Sequence, residues 1–146
     1  MVINRLSRML LAGGLSFLSL SVLTGCPGVG DRLEPDETAQ VIAVGKNICF
    51  LVNEPADYQP NDMGINPRGT PPKEKHFDFS PDLNVTDGKL CIPPSYYHFP
   101  DKGQFIAEYI LTSRKNADKP RKVVVTFEVA PGQVRNVPPT DMEITR

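Results

Sequence analysis

Two stretches of the chain alternate their side chains with a period of two, which marks long β-strands. In the first, Phe105, Ala107, Tyr109 and Leu111 alternate with Ile106, Glu108 and Ile110. In the second, Val123, Val125, Phe127 and Val129 alternate with Val124, Thr126 and Glu128. A polar loop, Ser113 to Arg121, joins them, with Pro120 just before the second strand. Earlier, the β-branched and aromatic runs Val41 to Val44 and Ile48 to Val52 flank Gly45-Lys46-Asn47, which predicts a strand–turn–strand unit with Cys49 in its second strand. Pro131-Gly132 ends the last long strand, and short pieces at Val134 to Val137 and Met142 to Thr145 are expected to add an edge.

Leu83 to Ile92 carries the sharpest local signal. Asp87-Gly88 supplies the positive φ angles of a two-residue hairpin turn, so Thr86 faces Lys89 and Val85 faces Leu90. Counted outward, Asn84 faces Cys91 and Leu83 faces Ile92, which puts four apolar side chains on one face and Cys91 on the other. A disulfide there belongs either at a sheet margin or beside a bulge that shifts the register. Asn53 to Pro72 holds five prolines and two glycines, which excludes a regular helix. It reads as a long loop or a pair of turns with a short strand around Met63 to Ile65, serving either as a binding element or as a proline-stiffened crossover between sheets. Seven or so short strands without a helix predict an all-β fold, an antiparallel β-sandwich of the immunoglobulin-like class with one disulfide. The chain has no tryptophan, so the antibody-type core is not matched.

The N-terminus follows a different pattern. Arg5 and Arg8 precede an apolar run from Met9 to Leu23 that is interrupted by glycines and serines, the layout of a secretory signal rather than a spanning helix. Leu23-Thr24-Gly25-Cys26 closes the run and resembles the lipobox of bacterial lipoproteins. The resemblance implies a signal peptide over residues 1–25, cleavage before Cys26, and lipidation of the Cys26 thiol. Two or three acyl chains hold a protein stably at a membrane. Pro27 stands where an aspartate would retain such a protein in the inner membrane, so an outer-membrane address facing the periplasm is expected. Residues 26–37 read as a tether, and residues 38–146 as the sandwich domain.

Without the signal, about 120 residues remain, enough for one core. Loss of Arg5 and Arg8 leaves 14 of 16 basic residues against 17 acidic ones, a balance of −3. That argues against nucleic acid as a partner. Fifteen prolines, with Asp87-Gly88, Pro27-Gly28 and Pro131-Gly132, mark a chain of many turns. Lipidation of Cys26 leaves Cys49 and Cys91 as the one intrachain pair. In an oxidising compartment they are expected to form a disulfide, the alternative being two buried thiols. His76 and His98 lie too far apart to supply, with these cysteines, a structural zinc site.

No phosphate-binding loop, nucleophile elbow, two-histidine helix or Cys-X-X-Cys occurs, so neither catalysis nor a small-molecule substrate or cofactor is expected. Ser95, His98 and Asp101 match a triad in type, but a proline-flanked loop does not give them its geometry. Ile92-Pro93-Pro94-Ser95-Tyr96-Tyr97-His98-Phe99-Pro100 concentrates aromatic rings in a stiffened segment. Tyr96, Tyr97, His98 and Phe99 therefore read as a candidate protein-binding hot spot, or else as rings capping the sandwich core. Arg68 reads as an anchor for a partner's carboxylate or as an internal loop-fixing donor.

Together the lipobox, Pro27-Gly28-Val29-Gly30-Asp31-Arg32, Asn66-Pro67-Arg68-Gly69-Thr70-Pro71-Pro72 and Cys91 to Pro100 resemble a family of small enterobacterial lipoproteins described as immunity proteins of the type VI secretion system. The likeness spans nearly the whole mature chain. It implies a periplasmic protein that binds and neutralises a toxic effector, with no cofactor and no catalysis. Two other classes fit the same residues: a structural or assembly lipoprotein of the envelope, and a lysozyme inhibitor.

Overall fold

The computed structural model describes residues 34–145. The signal segment, Cys26 and the tether up to Leu33 lie outside the described residues. Nine strands are present among the described residues: β1 (Val41–Val44), β2 (Asn47–Leu51), β3 (Gln59–Pro60), β4 (Gly64–Pro67), β5 (Val85–Thr86), β6 (Lys89–Ile92), β7 (Gly103–Thr112), β8 (Arg121–Ala130) and β9 (Gln133–Asn136). The only helical piece described is a single 3-10 turn, Pro72–Glu74. One sheet has the order β1-β2-β6-β5; the other has β3 and β4 in succession along β7, followed by β8 and β9. All strand pairs are antiparallel, and the two sheets form a β-sandwich.

The turns follow their residues. Asp87 and Gly88 take φ of 51° and 71°, a type I′ turn that fixes Thr86 opposite Lys89 and Val85 opposite Leu90. The hairpin ladder stops at Val85, yet Leu83, Leu90 and Ile92 are buried and Val85 packs against them. The β1–β2 turn is tighter than its three-residue signal suggests, since Val44 pairs with Asn47 and leaves only Gly45-Lys46 between. Met142 to Thr145, expected as an edge strand, is instead a turn. Pro138 and Pro139 just before it have no N–H to offer a ladder, and Glu143 accepts from the Thr140 N–H.

The proline-rich segment after β2 crosses from one sheet to the other and forms a broken strand there. Pro60 and Pro67 sit in the short strands β3 and β4, which pair only with β7 within the sheet and so tolerate them. Between β3 and β4, the Ile110 N–H donates to the Asp62 carboxylate at 2.8 Å. Gly64 belongs here because a Cβ would come within 2.5 Å of the Phe77 ring. Asp36 and Glu37, read above as the end of the tether, are bonded into the domain. The Asp36 N–H donates to the Thr145 carbonyl and the Glu37 N–H to the Lys122 carbonyl, both at 2.8 Å.

Phe50, Leu90 and Ile92 of the first sheet meet Phe105, Ala107, Tyr109, Leu111, Val123, Val125 and Phe127 of the second. Phe50 stacks on Tyr109 at 5.7 Å and meets Phe127 edge-on at 5.6 Å. Cys49 and Cys91 are direct partners across β2 and β6 and form a disulfide with Cα atoms 4.0 Å apart. Because the Val52 N–H bonds the Gly88 carbonyl, alternation makes Cys49–Cys91 a non-hydrogen-bonded pair, where opposed side chains come closest. The bridge therefore lies within one sheet, on the face away from Phe50 and Leu90, and not across the sandwich.

Closing a 42-residue separation is worth about 4 kcal/mol on the chain-entropy account. Replacing Cys49 and Cys91 together by alanine should lower the thermal midpoint by roughly 10–20 °C in a calorimetric scan. An unchanged midpoint would show that the bridge adds nothing to the sheet.

Candidate functional site

Three connections meet at one end of the sandwich. They are the β1–β2 turn at Gly45-Lys46, the β8–β9 turn at Pro131-Gly132, and the Pro93–Asp101 segment that passes from one sheet to the other. Between them lies an open groove of about 660 Å³, whose lining includes Ala43, Lys46, Tyr97, His98, Phe99 and Val134. Prolines frame it on two sides, Pro94 and Pro100 on the crossing segment and Pro131 on the hairpin, which lowers the conformational freedom of the walls.

The crossing segment opens with a turn in which the Tyr96 N–H donates to the Pro93 carbonyl at 2.9 Å. Beyond it, Phe99 plugs the end of the core, edge-on to Phe105 at 5.2 Å and to Phe127 at 5.8 Å. Tyr97 packs over Phe99 at 4.6 Å and is half-buried, so its ring spans core and groove. Burial pushes the Tyr97 phenol above its ordinary range. His98, between Tyr97 and Phe99 in sequence, is exposed and lines the groove. Phe99 thus takes the core-capping role, while Tyr97 and His98 face the groove.

Tyr96 does not line the groove. Its hydroxyl donates to the Asp78 carboxylate at 2.9 Å, which ties the segment to the stretch beside β4, and burial and that carboxylate push the phenol's pKa well above its ordinary range. Arg68 is also elsewhere, and its guanidinium is committed internally. It donates to Glu143 through Nε and Nη2 at 2.9 and 2.7 Å, to the Pro138 carbonyl at 2.8 Å, and to Gln104 at 3.0 Å. The internal reading of Arg68 therefore applies. Ala43, Lys46 and Val134 were not among the candidates. Their turns are legible in Gly45-Lys46 and Pro131-Gly132, but only the topology brings those turns together.

This geometry defines a disulfide-braced β-sandwich with one recessed, proline-framed end. The chain belongs to the family described as a domain of unknown function, DUF7480, which matches residues 36–132. The match runs from Asp36, ahead of β1, to the β8–β9 turn and includes Lys46, Tyr97, His98 and Phe99. No curated protein and no solved structure matches the chain. Among the described residues no helix is long and apolar enough to cross a membrane.

The Arg68 hydrogen bonds hold the Glu143 carboxyl down at about 2, against an ordinary 4.5. A carboxylate with a depressed folded pKa contributes stability above its unfolded value and loses it as pH falls through the folded one. The Glu143→Gln variant should therefore be about 1 kcal/mol less stable than the parent at pH 7. That gap should hold down to about pH 4.5 and close as the pH approaches 2. Thermal midpoints of both chains across this window give the measurement; a gap that persists at pH 2 would contradict the ion pair.

Proposed function

We propose that this chain is a lipid-anchored binding protein of the bacterial envelope that captures and neutralises a toxic effector of the type VI secretion class. The observation that supports it best is the preformed groove at the end of the sandwich, where Tyr97 and His98 are held by Phe99 and framed by prolines. A rigid recess with amphipathic aromatic walls suits protein recognition because little ordering entropy is lost on binding. A neutralising interface of ordinary size buries about 1,600 Å² in total, and one end of this sandwich with its three turns can serve as its centre. Lipidation at Cys26 would keep the domain on the surface where such an effector arrives.

Cells lacking the chain should be killed by the effector encoded nearby, and the wild-type chain should restore survival. The Cys26→Ala chain should fail to take up labelled palmitate and should protect less. His98→Asp should weaken effector binding at least tenfold, since it places a charge in the groove without touching the core, and should leave the thermal midpoint unchanged. If cells without the chain survive every neighbouring effector as well as the parent does, neutralisation is wrong. A permanent envelope complex formed without any effector would instead mark an assembly role.

A further inference from the structure

The seam where β1 meets β9 is fastened at one end only. There the Asn136 side chain accepts from the Val41 N–H at 2.9 Å and donates to the Ala39 carbonyl at 2.8 Å. Backbone orientation repeats every two residues along a strand, so the N–H and C=O of Ala43 face the same way as the Val41 N–H. In β9, Gln133 closes the hairpin against Ala130, which turns the N–H and C=O of Val134 away from β8. No ladder joins β1 to β9, so these groups have no partner strand. Ala43 and Val134 both line the groove, and Val44 beside them is 46% exposed. An unblocked apolar strand edge is a template for another strand.

We infer that the groove takes an extended segment of a partner protein by β-strand addition along the outer edge of β1. The segment's main chain pairs with Ala43 on one side of the slot and faces Val134 on the other, while alternate side chains lie against Tyr97. Only extended backbone supplies donors and acceptors at the spacing these edges present; a helix has used its own. Lys46 at the adjacent turn makes no ion pair among the described residues, which favours an acidic residue on the incoming strand. Asp101, also in the lining, is its acidic counterpart in the groove. The partner's identity as an effector rests on the function proposed above, whereas the mode of binding rests on the seam alone.

A displayed library of random ten-residue peptides, panned on the full mature chain, tests this directly. Recovered peptides should alternate β-branched or aromatic residues with polar ones and carry an acid. Synthetic copies methylated on alternate backbone nitrogens should bind at least tenfold more weakly, as should the unmethylated peptides to an Ala43→Pro chain. Failure to recover any peptide, equal binding of the methylated copies, or a concentration-dependent dimer of the chain alone would overturn the inference. An Ala43→Pro chain that still protects cells would reject the slot and leave neutralisation standing. Peptides that bind the slot in a chain that protects against nothing would reject neutralisation alone.

Discussion

Every strand at the margin of a sheet carries backbone N–H and C=O groups that no neighbouring strand reaches, and groups of this kind left unpaired in a partly buried position cost about 1–3 kcal/mol each. In this chain, with strands as short as two residues and prolines inside β3 and β4, side-chain amides pair those groups. Asn136 reads a donor and an acceptor on the outer edge of β1. Gln59 does the same at the opposite margin, accepting from the Val85 N–H at 2.7 Å and donating to the Val85 carbonyl at 3.2 Å. Asn66 repeats the pattern on His76, at 2.9 and 3.1 Å. Each amide stands in for a peptide unit. Two of them, Gln59 and Asn136, join one sheet to the other, so each of these margins of the sandwich is pinned at one point.

Two arginines do the corresponding work where the domain begins and ends. Arg121 grips Glu37 with two hydrogen bonds and holds the Asn53 and Glu54 carbonyls, which steadies the crossover where Glu54 and Ala56 take positive φ. Arg68 holds the C-terminal turn through Glu143 and Pro138. With the Asn136 end of that margin pinned, the strand edges at Ala43 and Val134 stand out as facing a groove without a partner strand. The proposed binding function and its strand-addition mode both follow from that contrast between a fastened frame and one open seam.

Much of this was legible in local patterns. The Asp87-Gly88 turn and the alternation from Phe105 to Leu111 set the register and the core face, because both depend only on near neighbours. The disulfide was expected from the cysteine count together with an expected oxidising compartment, although its place within one sheet required the β2–β6 register. What stayed hidden depends on distant pairing. Nothing in Gln59, Asn66 or Asn136 distinguishes an amide that completes a ladder from one that faces water. The prolines of the segment after β2 hid the two-residue strand β3, although the strand expected around Met63 to Ile65 is present as β4, and those at Pro138 and Pro139 diverted an expected strand into a turn. At the site, Tyr97 and His98 were legible as rings in a proline-stiffened segment, but Lys46, Ala43 and Val134 join them only through the topology. Arg68 was ambiguous until Glu143, distant in sequence, came beside it.

Backbone amide exchange in the free protein tests the central claim most directly. The Val41 and Val85 N–H groups donate to side-chain oxygens, those of Asn136 and Gln59. If those amides lace the sandwich, Val41 and Val85 should be protected to the same degree as the ladder amides of β2, while Ala43 and Val134 exchange like an open strand edge. Rapid exchange at Val41 and Val85, or strong protection at Ala43 and Val134 without any partner, would contradict the account of a closed frame with one open seam.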